Sequence, residues 1–182
     1  MKSMEIKNAA GFPATYSWEV EPELREETPV DIPSRPAGRA TPLLVRFVPK
    51  QGAPWIGRFW GGRERGTTGV ATWPDPGMAC VIVSGIAYVG SASGPSLWEE
   101  MAPEPTKEVL AFPKLGVIVL CDPWNVYAYG AHGEVWRAGD IATDGFKITG
   151  IDAGSISIEV ERDVDDIDRL RIEVGTGKVT RE

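Results

Sequence analysis

From Gly77 onward the chain repeats itself, and a repeat dictates architecture before any other signal is weighed. Gly77-Met-Ala-Cys-Val-Ile-Val-Ser-Gly-Ile-Ala-Tyr-Val-Gly is an apolar run, a short turn and a second run. Gly116-Val-Ile-Val-Leu-Cys-Asp-Pro-Trp-Asn-Val-Tyr-Ala-Tyr-Gly has the same form 39 residues later. Gly154-Ser-Ile-Ser-Ile-Glu-Val follows after a further 38, and its partner across a turn is Asp168-Arg-Leu-Arg-Ile-Glu-Val174. The repeating unit is therefore a β-hairpin or meander of about 39 residues.

The punctuation agrees with that unit. Asp122-Pro123-Trp124-Asn125 has Asp first and Pro second, the preference of a type I turn. Ala131-His132-Gly133, Asp144-Gly145 and Gly175-Thr-Gly177 each supply the glycine a short hairpin turn asks for. Turn signals every 8–12 residues mark an antiparallel all-β chain.

Val126-Tyr-Ala-Tyr-Gly-Ala-His-Gly-Glu-Val-Trp-Arg137 resembles the outer hairpin of a quinoprotein-type β-propeller blade, and the chain is similar to short bacterial β-repeat proteins. The likeness runs from Gly116 to Val174 and more loosely back to Gly77. It implies propeller-like repeats, but only three copies are legible, the third lacks the Trp, and a propeller closes with at least four blades. The expectation is a mainly antiparallel all-β fold, its hairpin repeats forming an open curved sheet or a sandwich. It is propeller-like but incomplete.

Upstream of the repeats, Thr15-Tyr-Ser-Trp-Glu-Val-Glu alternates as a half-buried strand does. Four prolines between 29 and 42 bar a helix or a central strand there. Leu43–Val48 and Trp55–Trp60 read as strands. The organisation is an N-terminal strand segment at 1–28, a Pro-rich connector at 29–42 and a β-repeat domain at 43–182, together one globular domain. One short helix is predicted at Pro95–Met101, with Pro at its first position and acids in its first turn.

Charge is unevenly laid out. Residues 1–34 carry a net −4, residues 35–65 a net +6 and the remainder −9, within a total of −7. That total disfavours nucleic acid as a general partner. The cations at 35–65 need nearby anions, so Trp18 and Val20 are expected to dock as a strand beside Leu43–Val48, setting Glu19 and its neighbours over the arginines. Deletion of residues 1–28 is then expected to strengthen binding to a polyanion.

No apolar stretch follows the first lysines as in a secretory signal, and no run approaches the ~20 residues that cross a bilayer. The expectation is a soluble, cytoplasmic protein with no membrane partner. Cys80 and Cys121 each lie in an apolar run, the setting of buried, reduced thiols.

Motifs for chemistry are few. His132 is the only histidine and falls in a predicted turn, which leaves no Ser-His-Asp or Cys-His set. Gly61-Gly-Arg-Glu-Arg-Gly-Thr-Thr68 has the glycine spacing of a phosphate loop, but Thr67 stands where lysine belongs and no helix follows. Asp163-Val-Asp-Asp-Ile-Asp168 departs from a calcium loop at its fifth and sixth positions and reads as a turn between strands. No cofactor, metal or catalytic residue is assigned.

The remaining lead is an aromatic and cationic mixture, Trp55, Arg58, Trp60, Arg63 and Arg65, of the kind that stacks sugars or holds anions. The plainer reading gives the aromatics to the core and the arginines to glutamates. Functionally the sequence points first to a non-enzymatic interaction or scaffold protein, meeting a protein partner or a second copy through its sheet edges. The alternative is a binding module for an anionic or carbohydrate ligand at those five residues. A carboxylate-based glycoside hydrolase ranks last.

Overall fold

A computed structural model describes residues 11–24, 28–32, 41–61, 66–101, 104–163 and 166–182. Its described residues form four four-stranded sheets in chain order. The first holds β1 (Tyr16–Val20), β2 (Val30–Ile32), β3 (Leu43–Pro49) and β4 (Trp55–Phe59). The second holds β5 (Gly69–Thr72), β6 (Met78–Val83), β7 (Ile86–Ser91) and β8 (Glu99–Met101). The third holds β9 (Glu108–Phe112), β10 (Val117–Cys121), β11 (Val126–Gly130) and β12 (Gly133–Ala138). The fourth holds β13 (Phe146–Ile151), β14 (Ser155–Asp163), β15 (Asp166–Glu173) and β16 (Val179–Arg181). The last three are plain meanders, whereas the first runs β1-β3-β4-β2, with β2 parallel to β4.

Burial patterns fix the order of stacking. Along β6 successive residues alternate between two cores: Ala79, Val81 and Val83 pack with the first sheet, Cys80 and Ile82 with the third. β10 does the same, sending Ile118 and Leu120 toward the second sheet and Val117, Val119 and Cys121 toward the fourth. A strand covered on both faces has no solvent side, hence the unbroken apolar runs in these two sheets. In β14 only Ile156, Ile158 and Val160 face a core, and Ser157, Glu159 and Glu161 point the other way. The stack therefore begins and ends in sheets with one polar face, as the terminal units of repeat proteins do. Arg46, Arg58 and Asp31 occupy the outward face of the first sheet, and Arg169, Arg171 and Glu159 that of the fourth. Among the described residues the sheets are open, and no closed propeller is seen.

The N-terminal strand docks where charge requires. Trp18 lies opposite Phe47 and Val20 opposite Val45, which sets Glu19 opposite Arg46, 3.6 Å between carboxylate and guanidinium. The segment continues past β1, since Arg46 also donates to the Glu23 carbonyl and the Leu44 amide to the Glu21 carboxylate.

Two expectations are corrected. Val30–Ile32, inside the expected connector, is an edge strand with Ile32 buried; Pro29 comes just before it, where no ladder bond is asked of it. No helix forms at Pro95–Met101. Leu97 takes a left-handed φ of 66°, which a helix cannot continue through, and Glu99–Met101 is the edge strand β8. Tertiary packing overrides the helical signal there. The Trp98 indole is drawn among Phe59, Phe47 and Trp55, with ring centroids 4.8, 5.5 and 6.1 Å away. The described helical content is one 3-10 turn, Pro113–Leu115.

Cys80 and Cys121 are buried and free, as their runs implied. Burial in apolar surroundings pushes the Cys80 thiol up to about 12 and raises that of Cys121 as well.

Candidate functional site

Two of the linkers between sheets follow one device. At the junction of the second and third sheets, the Thr106 amide donates to the Gly85 carbonyl in the β6–β7 turn, at 2.7 Å. At the next junction the Ile141 amide donates to the Trp124 carbonyl in the β10–β11 turn, at 3.0 Å. Each departing chain is thus hung on the central turn of the sheet it leaves.

The turn at the second of these junctions is built on one carboxylate. Asp122 Oδ1 accepts from the amides of Trp124 and Asn125, each at 2.6 Å, and both its oxygens accept from Asn125 Nδ2. Asn125 Oδ1 then accepts from the Asp140 amide, and the Trp124 indole donates to the Thr143 carbonyl. The stretch the sequence predicted as a turn thus joins β10 to β11, with linker residues 140–143 tied to it.

The two junctions differ in how they close. Between the second and third sheets, buried Thr67, Pro105 and Thr106 fill the space, and the Thr67 amide donates to the Thr106 carbonyl. Between the third and fourth sheets, a groove of about 1110 Å³ opens instead. Its third-sheet wall is Lys107, Glu108 and Leu110 with Cys121, Asp122 and Pro123; its fourth-sheet wall is the unbroken run 144–151 with Glu159, Glu161 and Ile167.

An unbroken run is informative. Successive side chains of a strand point to opposite faces, so a wall to which every residue contributes is the edge of the strand, backbone included. β13 pairs with β14 on one side, and its other edge lies in the groove. The pairing carries a bulge at Thr149, between Ile148 and Gly150. β9 contributes only its alternate residues Glu108 and Leu110, so the edge of β13 looks onto one face of the third sheet. The charged residues of the walls are five carboxylates and two lysines.

The five residues singled out in the sequence do not assemble. Trp55 is on the core face of β4, stacked on Phe47 at 5.1 Å, its indole donating to the Ala92 carbonyl. Arg58 points to the opposite face, where its guanidinium donates to Asp31 at 3.0 Å. The same carboxylate oxygen accepts from the Trp60 indole at 3.2 Å. Arg58 and Trp60 thus converge on Asp31, while Trp55 belongs to the aromatic core. Arg63 and Arg65 lie outside the described residues, as do residues 62–65 of the glycine-rich loop.

The other motifs fall as expected or more simply. His132 is exposed in the β11–β12 turn. Asp168 is buried and pairs with Arg181 across β15 and β16, so it is a structural residue rather than part of a solvated turn. Among the described residues, no group of three or more His, Cys, Asp or Glu is placed to hold a metal ion. None of the described helices is long and apolar enough to cross a membrane. The groove itself had no signal in the sequence: Phe146-Lys-Ile-Thr alternates like any half-exposed strand, and which strand lies at an edge is a property of topology.

No family model matches the chain, and no curated protein matches it. A solved structure described as the crystal structure of the eukaryotic initiation factor is similar in shape, with a TM-score of 0.40 and 11% identity. That similarity covers 78% of this chain, which spans about 40% of that protein's length.

Proposed function

We propose that this chain is a non-enzymatic interaction module that takes up an extended segment of a partner protein along the edge of β13. One observation carries the reading: every residue from 144 to 151 lines the groove between the third and fourth sheets. Extended peptides add to exposed sheet edges through main-chain hydrogen bonds, with pockets for alternate side chains giving selectivity. At about 1110 Å³ the opening exceeds the roughly 300–1,000 Å³ of ordinary small-molecule sites. The third-sheet residues Glu108 and Leu110 across the groove set a receptor edge apart from a fully open one that would template unlimited pairing.

The test is a photo-crosslinking amino acid at position 149 of the full chain, with a second at exposed Val135 on β12 as control. The expected result is a covalent adduct from 149 alone, mapping to a contiguous segment of one protein. Equal adducts from both positions, or none from 149, would overturn the reading.

A second reading keeps the alternative of an anionic ligand. Its support is Asp31, whose carboxylate is held by Arg58 and the Trp60 indole as a bound anion would be. On this reading the anion site is occupied by the chain itself, and a ligand must displace Asp31.

A further inference from the structure

We infer that the segment accepted by β13 is a peptide of alternating apolar and polar residues with Lys or Arg at the end that lies beside Phe146. This rests on the edge-addition reading above and adds the chemistry of the partner to it.

The alternation follows from the faces of β13. An added strand continues the fourth sheet, so its side chains fall alternately on the two faces the sheet already has. Phe146 and Ile148 project toward the third sheet and pack on its core, with Leu110 across the groove. Peptide side chains on that face meet hydrocarbon and are favoured when apolar. The opposite face carries Lys147, which lies in register with Glu159, and is wet. Side chains there remain polar.

The basic end follows from where the charge lies. Of the five wall carboxylates, Asp122, Asp144 and Glu161 gather at the Phe146 end of β13, since Phe146 is in register with Val160, Asp144 lies two residues before the strand, and Gly145 between them sits against Pro123, the neighbour of Asp122. Lys147 and Lys107 leave a net negative wall. A cation on the peptide meets the densest opposite charge at that end, since Glu159, in register with Lys147, is already paired with Arg169. The bulge at Thr149 interrupts the ladder beyond Ile148, so the peptide is gripped over the first half of the strand, next to those acids.

The experiment uses the full chain and three labelled synthetic peptides: Lys-Val-Lys-Val-Lys-Val, Glu-Val-Glu-Val-Glu-Val and the block arrangement Lys-Lys-Lys-Val-Val-Val. Fluorescence anisotropy gives affinity, and amide hydrogen exchange gives the site. The alternating basic peptide is expected to bind about tenfold or more tightly than the acidic one, and to slow exchange at 146–151. The double variant D144N/E161Q, changed at two exposed side chains, is expected to lose roughly three- to tenfold in affinity with unchanged circular dichroism. Equal binding of acidic and basic peptides with protection at 146–151 sinks the basic partner and spares edge addition. Equal binding of the block peptide sinks the alternation. Protection at 146–151 by none of the peptides sinks both this inference and the reading beneath it. Concentration-dependent protection of 146–151 in the protein alone would assign the edge to a second copy of the chain and overturn the peptide.

Discussion

The Trp98 indole lies so close over Gly90 that a Cβ at position 90 would stand 2.4 Å from Trp98 Cδ2. Phe47, Trp55 and Phe59 pack on the same ring and resist its displacement. The contact recurs in the fourth sheet, where a Cβ on Gly177 would come within 2.7 Å of Trp136, whose indole donates to the Val174 carbonyl. Gly90→Ala is therefore expected to destabilise the chain by about 1–3 kcal/mol, the usual cost of overfilling a packed core. Urea unfolding measures it, and a midpoint unchanged from the parent would mean that Trp98 is free to move.

Burial holds both thiols protonated, with a consequence at alkaline pH. Cys80 is pushed from an ordinary value of 9.0 to about 12 by desolvation, and Cys121 is raised by the same cause and by Glu108 and Asp122 beside it. The folded state keeps these protons while the unfolded state releases them. Stability is thus unaffected below about pH 9 and falls as pH rises from 9 toward 12, by about 1.4 kcal/mol per pH unit for each thiol. Urea midpoints at pH 8, 9 and 10 test the slope, with thiol reagents expected to leave the native chain unlabelled at pH 8. Rapid native labelling would show that the thiols are reached by solvent without unfolding.

What the sequence made legible were features set by local pattern. Ala79-Cys80-Val81-Ile82-Val83 announces a strand covered on both faces, and Ser155-Ile-Ser-Ile-Glu-Val one covered on a single face. That contrast encodes which sheets are internal to the stack. The pairing of β1 with β3 was legible because the same pattern carries Glu19 and Arg46. The number of sheets was not, since the first departs from the repeat, taking a parallel edge strand from a segment whose prolines disguise it. Trp98 misled for a related reason: Pro95, Glu99 and Glu100 are a helix start by local rules, and only long-range contacts with Phe47 and Phe59 outvote them. The groove was invisible because edge position and junction width belong to no single segment.

Asp31 is predicted to mask a cationic surface. Asp31→Ala releases Arg58 and the Trp60 indole together and removes the negative charge that offsets Arg58. The pair is partly exposed, so the stability cost is at most about 1 kcal/mol. Binding to heparin is expected to strengthen, with the slope of log affinity against log salt steeper by about one. Identical elution of parent and variant from a heparin column would count against an anion site at Arg58.

Asp122 is predicted to govern the junction at the groove more than the fold as a whole. Its carboxylate is 4% exposed and accepts from two amides and the Asn125 side chain, so removal leaves buried donors without a partner. Asp122→Ala should cost about 2–3 kcal/mol, and Asp122→Asn, which retains one acceptor oxygen, about half of that. The linker feels the change next, because Asp140, Ile141 and Thr143 are tied to Asn125 and Trp124 and have no support from a strand ladder. Amide exchange is therefore expected to quicken first at 140–151, while Cys80–Val83, deep between two cores, keeps the rate of global unfolding. Affinity for the alternating basic peptide should fall in step with that loosening. If exchange instead quickens equally at every amide, the turn holds up the whole stack, and the groove has no rigidity of its own to offer a partner.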